Sequence, residues 1–92
     1  MKTEYVLTFK NTNFAIKAER FLLADKIKIG VMPLPSQISA GCGICLRISQ
    51  DEIDRSLEVL KKNNINEIGL FLRSSENEKY FYEELNAYDR QK

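Results

Sequence analysis

The sequence predicts an α+β domain in which two amphipathic helices alternate with four short strands. Three observations carry this expectation. Apolar residues recur at helical spacing in two stretches, near 14–22 and 53–60. They alternate at period two in stretches around 5–9, 44–48 and 68–72. Asparagine, proline and glycine separate these blocks where a chain turns.

Tyr5-Val6-Leu7-Thr8-Phe9 is rich in β-formers, with Tyr5, Leu7 and Phe9 on one face of a first strand. Asn11 and Thr12 are N-cap types, and Phe14, Ala18, Phe21 and Leu22 follow on one face of a helix from about 13 to 25. Ile29-Gly30-Val31-Met32 reads as a short second strand ended by Pro33 and Pro35, because proline removes a ladder donor. Residues 34–43 form a loop. Ile44, Leu46 and Ile48 face one way in a third strand, with Cys45 and Arg47 facing the other. Ser49-Gln50-Asp51-Glu52 has the spacing of a capping box. Ile53, Leu57 and Leu60 then predict a second helix from about 50 to 63, closed by Asn63-Asn64. Asp51, Glu52 and Asp54 suit a first helical turn. Ile68, Leu70 and Leu72 alternate in a fourth strand.

The order strand, helix, strand, strand, helix, strand is that of a ferredoxin-like βαββαβ sandwich, a four-stranded antiparallel sheet with both helices on one face. Its crossovers are expected to be right-handed. The predicted domain spans 1–73, and 74–92 is an extension. There, Ser75-Glu76-Asn77-Glu78 resembles another capping box, and Phe81, Leu85 and Tyr88 share a helical face. The extension is therefore expected to be a C-terminal helix, docked on its own domain, on a second copy, or over the open sheet face. Tyr80 and Tyr82 cannot share that stripe, so at least one is expected to be exposed or to meet a partner.

Ninety-two residues, 43% hydrophobic and 29% charged, make one soluble domain with one small core. A net charge of +1 argues against a nucleic-acid partner, which needs a clustered basic footprint. No apolar run approaches the ~20 residues of a membrane span, and the first residues lack a leader pattern. The expected compartment is cytoplasmic, where thiols stay reduced. Histidine is absent, which removes histidine-based catalysis and ligation.

The chemistry-bearing feature is Ser39-Ala40-Gly41-Cys42-Gly43-Ile44-Cys45, which holds both cysteines of the chain. Gly41 and Gly43 permit positive φ and close approach of a ligand, and their amides could converge on an anion such as a thiolate or persulfide. Arg47, on the strand face of Cys45, adds a positive field that favours a thiolate. The alternative for each thiol is plain burial, since free cysteine behaves as a small hydrophobe. In an extended chain, residues three apart lie about 10 Å apart, whereas a disulfide needs Cα atoms within about 7 Å. Pairing Cys42 with Cys45 would therefore fray the start of the third strand. Two thiols supply half of a structural zinc site, so a metal would need a second copy. No metal and no cofactor are expected.

Tyr5-Val6-Leu7-Thr8-Phe9, Ala18-Glu19-Arg20, Met32-Pro33-Leu34-Pro35 and Ile38-Ser39-Ala40-Gly41-Cys42-Gly43-Ile44-Cys45-Leu46-Arg47 together resemble the small bacterial family of selenium/sulfur carrier-like proteins over roughly residues 4–72. The proline pair followed by Ser-x-x-Cys-Gly is the most specific part. The resemblance implies a compact α/β domain, and some members occur beside sulfurtransferase-like domains linked to selenium metabolism. It implies that Cys42 is the carrier thiol, that Gly43 shapes its loop, and that Ser39 caps or hydrogen-bonds it. Cys45 falls at a position that is cysteine in some members and small or apolar in others. Ser36 stands where a basic residue is common, which weakens the electrostatic help expected from the loop. Lys26 stands where a glycine often ends the first helix.

The function expected is a carrier that holds a persulfide or selenide on Cys42, with Cys45 as an optional resolving thiol and Ser39, Gly41, Gly43 and Arg47 around them. Its partners would be sulfur-donor and acceptor proteins, with a homodimer compatible. This is carrier chemistry more than turnover catalysis. Two other classes stay open: a binding module using the open sheet face and aromatic tail, and a Cys-x-x-Cys thiol redox sensor.

Overall fold

The computed structural model describes residues 2–86. It is an α+β structure of two helices and one five-stranded antiparallel sheet: β1 Lys2–Thr8, α1 Thr12–Ala24, β2 Ile29–Pro33, β3 Ile44–Ile48, α2 Ile53–Lys62, β4 Gly69–Glu76 and β5 Lys79–Leu85. The strand order is β2-β3-β1-β4-β5, with every neighbouring pair antiparallel.

Local chemistry explains the helix ends. Asn11 caps α1, its side-chain oxygen accepting the Phe14 N–H at 3.0 Å. The helix closes with Ile27 N–H donating to Leu22 O at 3.0 Å and Lys26 N–H to Leu23 O at 2.9 Å. This closure puts Lys26 in the left-handed region (φ 61), the position where the resemblance places a glycine. Asn64, also at φ 61, ends α2 in the same way. The start of α2 differs from expectation. Ser49 does not cap it; its carbonyl accepts Glu52 N–H at 3.1 Å in a turn, and the helix begins at Ile53 without a side-chain cap bond. The chain leaves β3 extended at Ile48, and the turn over 50–52 carries it across before the helix can start.

The C-terminal helix expected from residue 74 is a strand. β4 continues to Glu76, so the 73/74 boundary falls inside a strand paired to β1 through Lys2↔Ser75. Asn77 and Glu78 form the hairpin turn at φ 54 and 66. Two consecutive left-handed residues match the right-handed twist of a tight hairpin. β5 then pairs with β4 from Glu76↔Lys79 to Leu70↔Leu85. Pairing satisfies the outer edge of β4 from Leu70 to Glu76, which helical spacing of three apolar residues cannot do. Tyr80 and Phe81 are exposed and Tyr82 is half-buried; Tyr88 lies outside the described residues.

The sheet has two unlike faces. Under the helices, Tyr5, Leu7, Leu46, Ile48 and Leu70 pack with Ala15, Ala18, Leu22, Ile53, Leu57 and Leu60. On the other face, Val6 and Cys45 pack with Ile38 from the loop between β2 and β3, flanked by Met32, Leu34, Phe71 and Tyr82. That loop is held by Leu34 N–H to Gly43 O at 3.1 Å and Ile38 N–H to Pro35 O at 3.0 Å. It sits partly over the open face instead of standing off the end of the sheet.

Candidate functional site

Cys42 is buried in the main core cluster, on the helix side. Its sulfur accepts the backbone N–H of Phe9 at 3.2 Å, and its S–H is positioned to donate to Ile44 O at 2.9 Å. The amide comes from the end of β1, across the fold, and not from the flanking glycines. The sulfur is thus held between two backbone groups, one donating to it and one accepting from it.

The glycines act differently from expectation. Neither has positive φ. A Cβ at Gly41 would overlap the backbone carbonyl of Lys10, so Gly41 is there because the chain itself approaches closely. A Cβ at Gly43 would meet nothing within 4 Å. Gly41 and the exposed Ser39 line an open groove of about 370 Å³ with Phe9, Lys10, Glu67 and Gly69. The groove therefore runs beside the amide that holds Cys42. Lys10 and Glu67 form an ion pair at 3.5 Å along it.

Cys45 is sealed at 0% exposure in the open-face cluster, its sulfur 3.8 Å from Pro33 O. Burial first, then the neighbouring Cys42, push its thiol up to about 11, against a smaller opposite pull from Arg73 and Arg47. The two sulfurs belong to different clusters, one on each side of the sheet. Both are free thiols. Joining them would require Ile44 to leave its pairing with Pro33.

Arg47 is half-exposed and turns toward Glu4, with Nε 3.5 Å from Glu4 Oε2. Glu4 also binds Arg73 through the other carboxylate oxygen. Burial works against the Arg73 cation, but Tyr82 and Glu4 beside it hold its pKa above the usual value. The structure places Ser39, Gly41 and Cys42 in one region, and Cys45 and Arg47 in another. Sequence patterning does not single out Phe9 as a donor, Lys10 as the packing partner of Gly41, or Glu4 and Arg73. Only the 2-residue alternation linking Glu4 to the outward face of β1 pointed to any of these.

Among the described residues, no group of three or more His, Cys, Asp or Glu side chains could hold a metal ion. No helix among them is long and apolar enough to cross a membrane. Over residues 4–72 the chain matches the family described as "Putative Se/S carrier protein-like". No curated protein and no solved structure matches it. The chain belongs to this Se/S carrier-like family.

Proposed function

We propose that this member of the Se/S carrier-like family carries sulfane sulfur or selenium on Cys42, on a ferredoxin-like core, in transit between donor and acceptor proteins. The observation that carries this reading is the Phe9 amide on Cys42 Sγ at 3.2 Å, beside the groove that Ser39 and Gly41 line. The amide holds the sulfur in a fixed place beside the groove from which a donor would approach.

In the loading step, the Cys42 thiolate attacks the outer sulfur of a donor persulfide. A new S–S bond forms on Cys42, the donor S–S bond breaks, and the donor cysteine leaves as thiolate. In delivery, an acceptor nucleophile attacks that outer sulfur and Cys42 leaves as thiolate. Neither step needs an external oxidant or reductant. Because Cys42 is buried, its loop must move outward from Phe9 for the donor to reach it. Cys45 is not needed for this cycle, and its sealed, strongly protonated thiol makes it a poor resolving group.

The test is mass spectrometry after incubation with a cysteine desulfurase and cysteine. One added sulfur atom is expected on Cys42 in the native chain and in Cys45→Ser, and none in Cys42→Ser. Absence of any adduct, or an adduct that persists in Cys42→Ser, would sink the reading.

A further inference from the structure

The open face holds a second polar feature, a cavity of about 220 Å³ lined by Glu4, Arg47, Arg73, Ser75 and Tyr80. We propose that this cavity binds a small oxyanion through Arg47 and Arg73. The inference does not depend on the carrier reading, because neither thiol lines the cavity.

Charge is the first argument. Two guanidinium groups face one carboxylate, so the lining carries an excess of one positive charge. Glu4 is shared between them, and a single carboxylate cannot occupy the donor forks of both. One donor, Arg73 Nε, is buried without any hydrogen-bond partner among the described residues. An oxyanion beside the two forks adds acceptors beyond those of Glu4 and Tyr82.

Preorganisation is the second argument. Arg73 lies over the Tyr80 ring, 4.0 Å from its centroid. Arg47 lies over Gly30, its partner across β2 and β3; a Cβ there would stand 2.7 Å from Nη2. Gly30 leaves room for this guanidinium to lie flat against the sheet. Arg73 is thus held by a group other than the carboxylate, and Arg47 has a seat on the neighbouring strand. The hydroxyls of Ser75 and Tyr80 add neutral donors at the wall.

Arg73, Ser75 and Tyr80 all lie beyond the stretch 4–72 that the family shares. The β4–β5 hairpin thus completes a pocket that the family domain begins with Glu4 and Arg47. Carboxylates, phosphate and sulfur oxyanions share the chemistry this pocket reads.

The experiment is a titration of the full chain at low ionic strength, following the arginine side-chain resonances by NMR. Acetate, phosphate, sulfate and thiosulfate are the probes, with chloride as the ionic-strength control. At least one probe is expected to give saturable shifts at Arg47 and Arg73, and the strongest identifies the source as carboxylate, phosphate or sulfur oxyanion. Arg47→Gln is expected to weaken that binding about tenfold, as loss of a charge-assisted hydrogen bond does. Glu4→Gln removes the internal competitor and is expected to tighten it. Arg47 is half-exposed, so its replacement leaves the fold intact. Responses no different from chloride, or saturable binding unchanged in Arg47→Gln, would overturn the proposal, as would weaker binding in Glu4→Gln.

Discussion

The two faces of the sheet are made from the same strands and obey different rules. At its centre the helix-covered face is apolar, with Leu7, Leu46, Ile48 and Leu70 closed over by α1 and α2. The open face grades from a small apolar patch at Val6 and Cys45 into the ionic pocket of Glu4, Arg47 and Arg73. Each cysteine takes its character from its side. Cys42 is buried at the margin of the main core, but its sulfur is tied to backbone groups beside a groove. Cys45 is sealed beneath a loop and kept protonated. Burial alone does not separate these thiols, since both are buried. What their sulfurs touch does.

The largest effect expected is on the helix-covered side. Leu46→Ala should cost about 3 kcal/mol of stability, through lost transfer energy and a residual cavity. Phe71→Ala, on the open face and half-buried, should cost less than half of that. Urea denaturation of the two variants checks the difference, and equal losses would mean that the faces form one core.

A second comparison sits within the cysteine loop. Gly41→Ala must displace the backbone at Lys10, with an expected cost of about 2 kcal/mol, in the range of overpacking. It should also speed alkylation of Cys42 by pulling its sulfur from Phe9. Gly43→Ala has open space and should change stability by less than about 0.5 kcal/mol. Equal effects would remove the assignment of Gly41 as the close-approach residue.

The sealed thiol makes a pH prediction. Its pKa is raised from 9.0 to about 11 in the folded chain, so the unfolded chain releases this proton first. The contribution is fully present below pH 9 and is lost as pH climbs toward 11. Stability of the native chain should therefore fall across that window, and Cys45→Ala should flatten the fall. Outside both faces, Lys26→Gly relieves a left-handed residue and should add about 1 kcal/mol, read by the same denaturation.

Particular residues show how much was legible beforehand. Periodicity gave both helices, the first four strands and the faces of Leu7, Leu46, Cys45 and Arg47, because those signals are local. The tail misled because Phe81 and Leu85 fit a helical stripe as well as they fit a strand. The turn that decides the matter is Asn77-Glu78, which lacks the glycine that usually announces a tight hairpin. Ser49 misled for a related reason: the spacing of a capping box says nothing about whether the chain has already turned. The site was half legible. Cys42 and its glycines stood out by composition, but the amide that meets the sulfur comes from a residue 33 positions away.

By itself the sequence determined the alternation of helices and strands, the apolar side of each, and the family to which residues 4–72 belong. These follow from side-chain period and short motifs, which need no knowledge of distant residues. Tertiary structure alone decided that the tail adds a fifth strand, that Gly41 is required by Lys10, that the two thiols part to opposite sides, and that Glu4, Arg47 and Arg73 converge. Each of those outcomes depends on strand order and register. Antiparallel pairing brings residues dozens of positions apart to within a few ångströms, and one residue of slip would send every side chain to the other face.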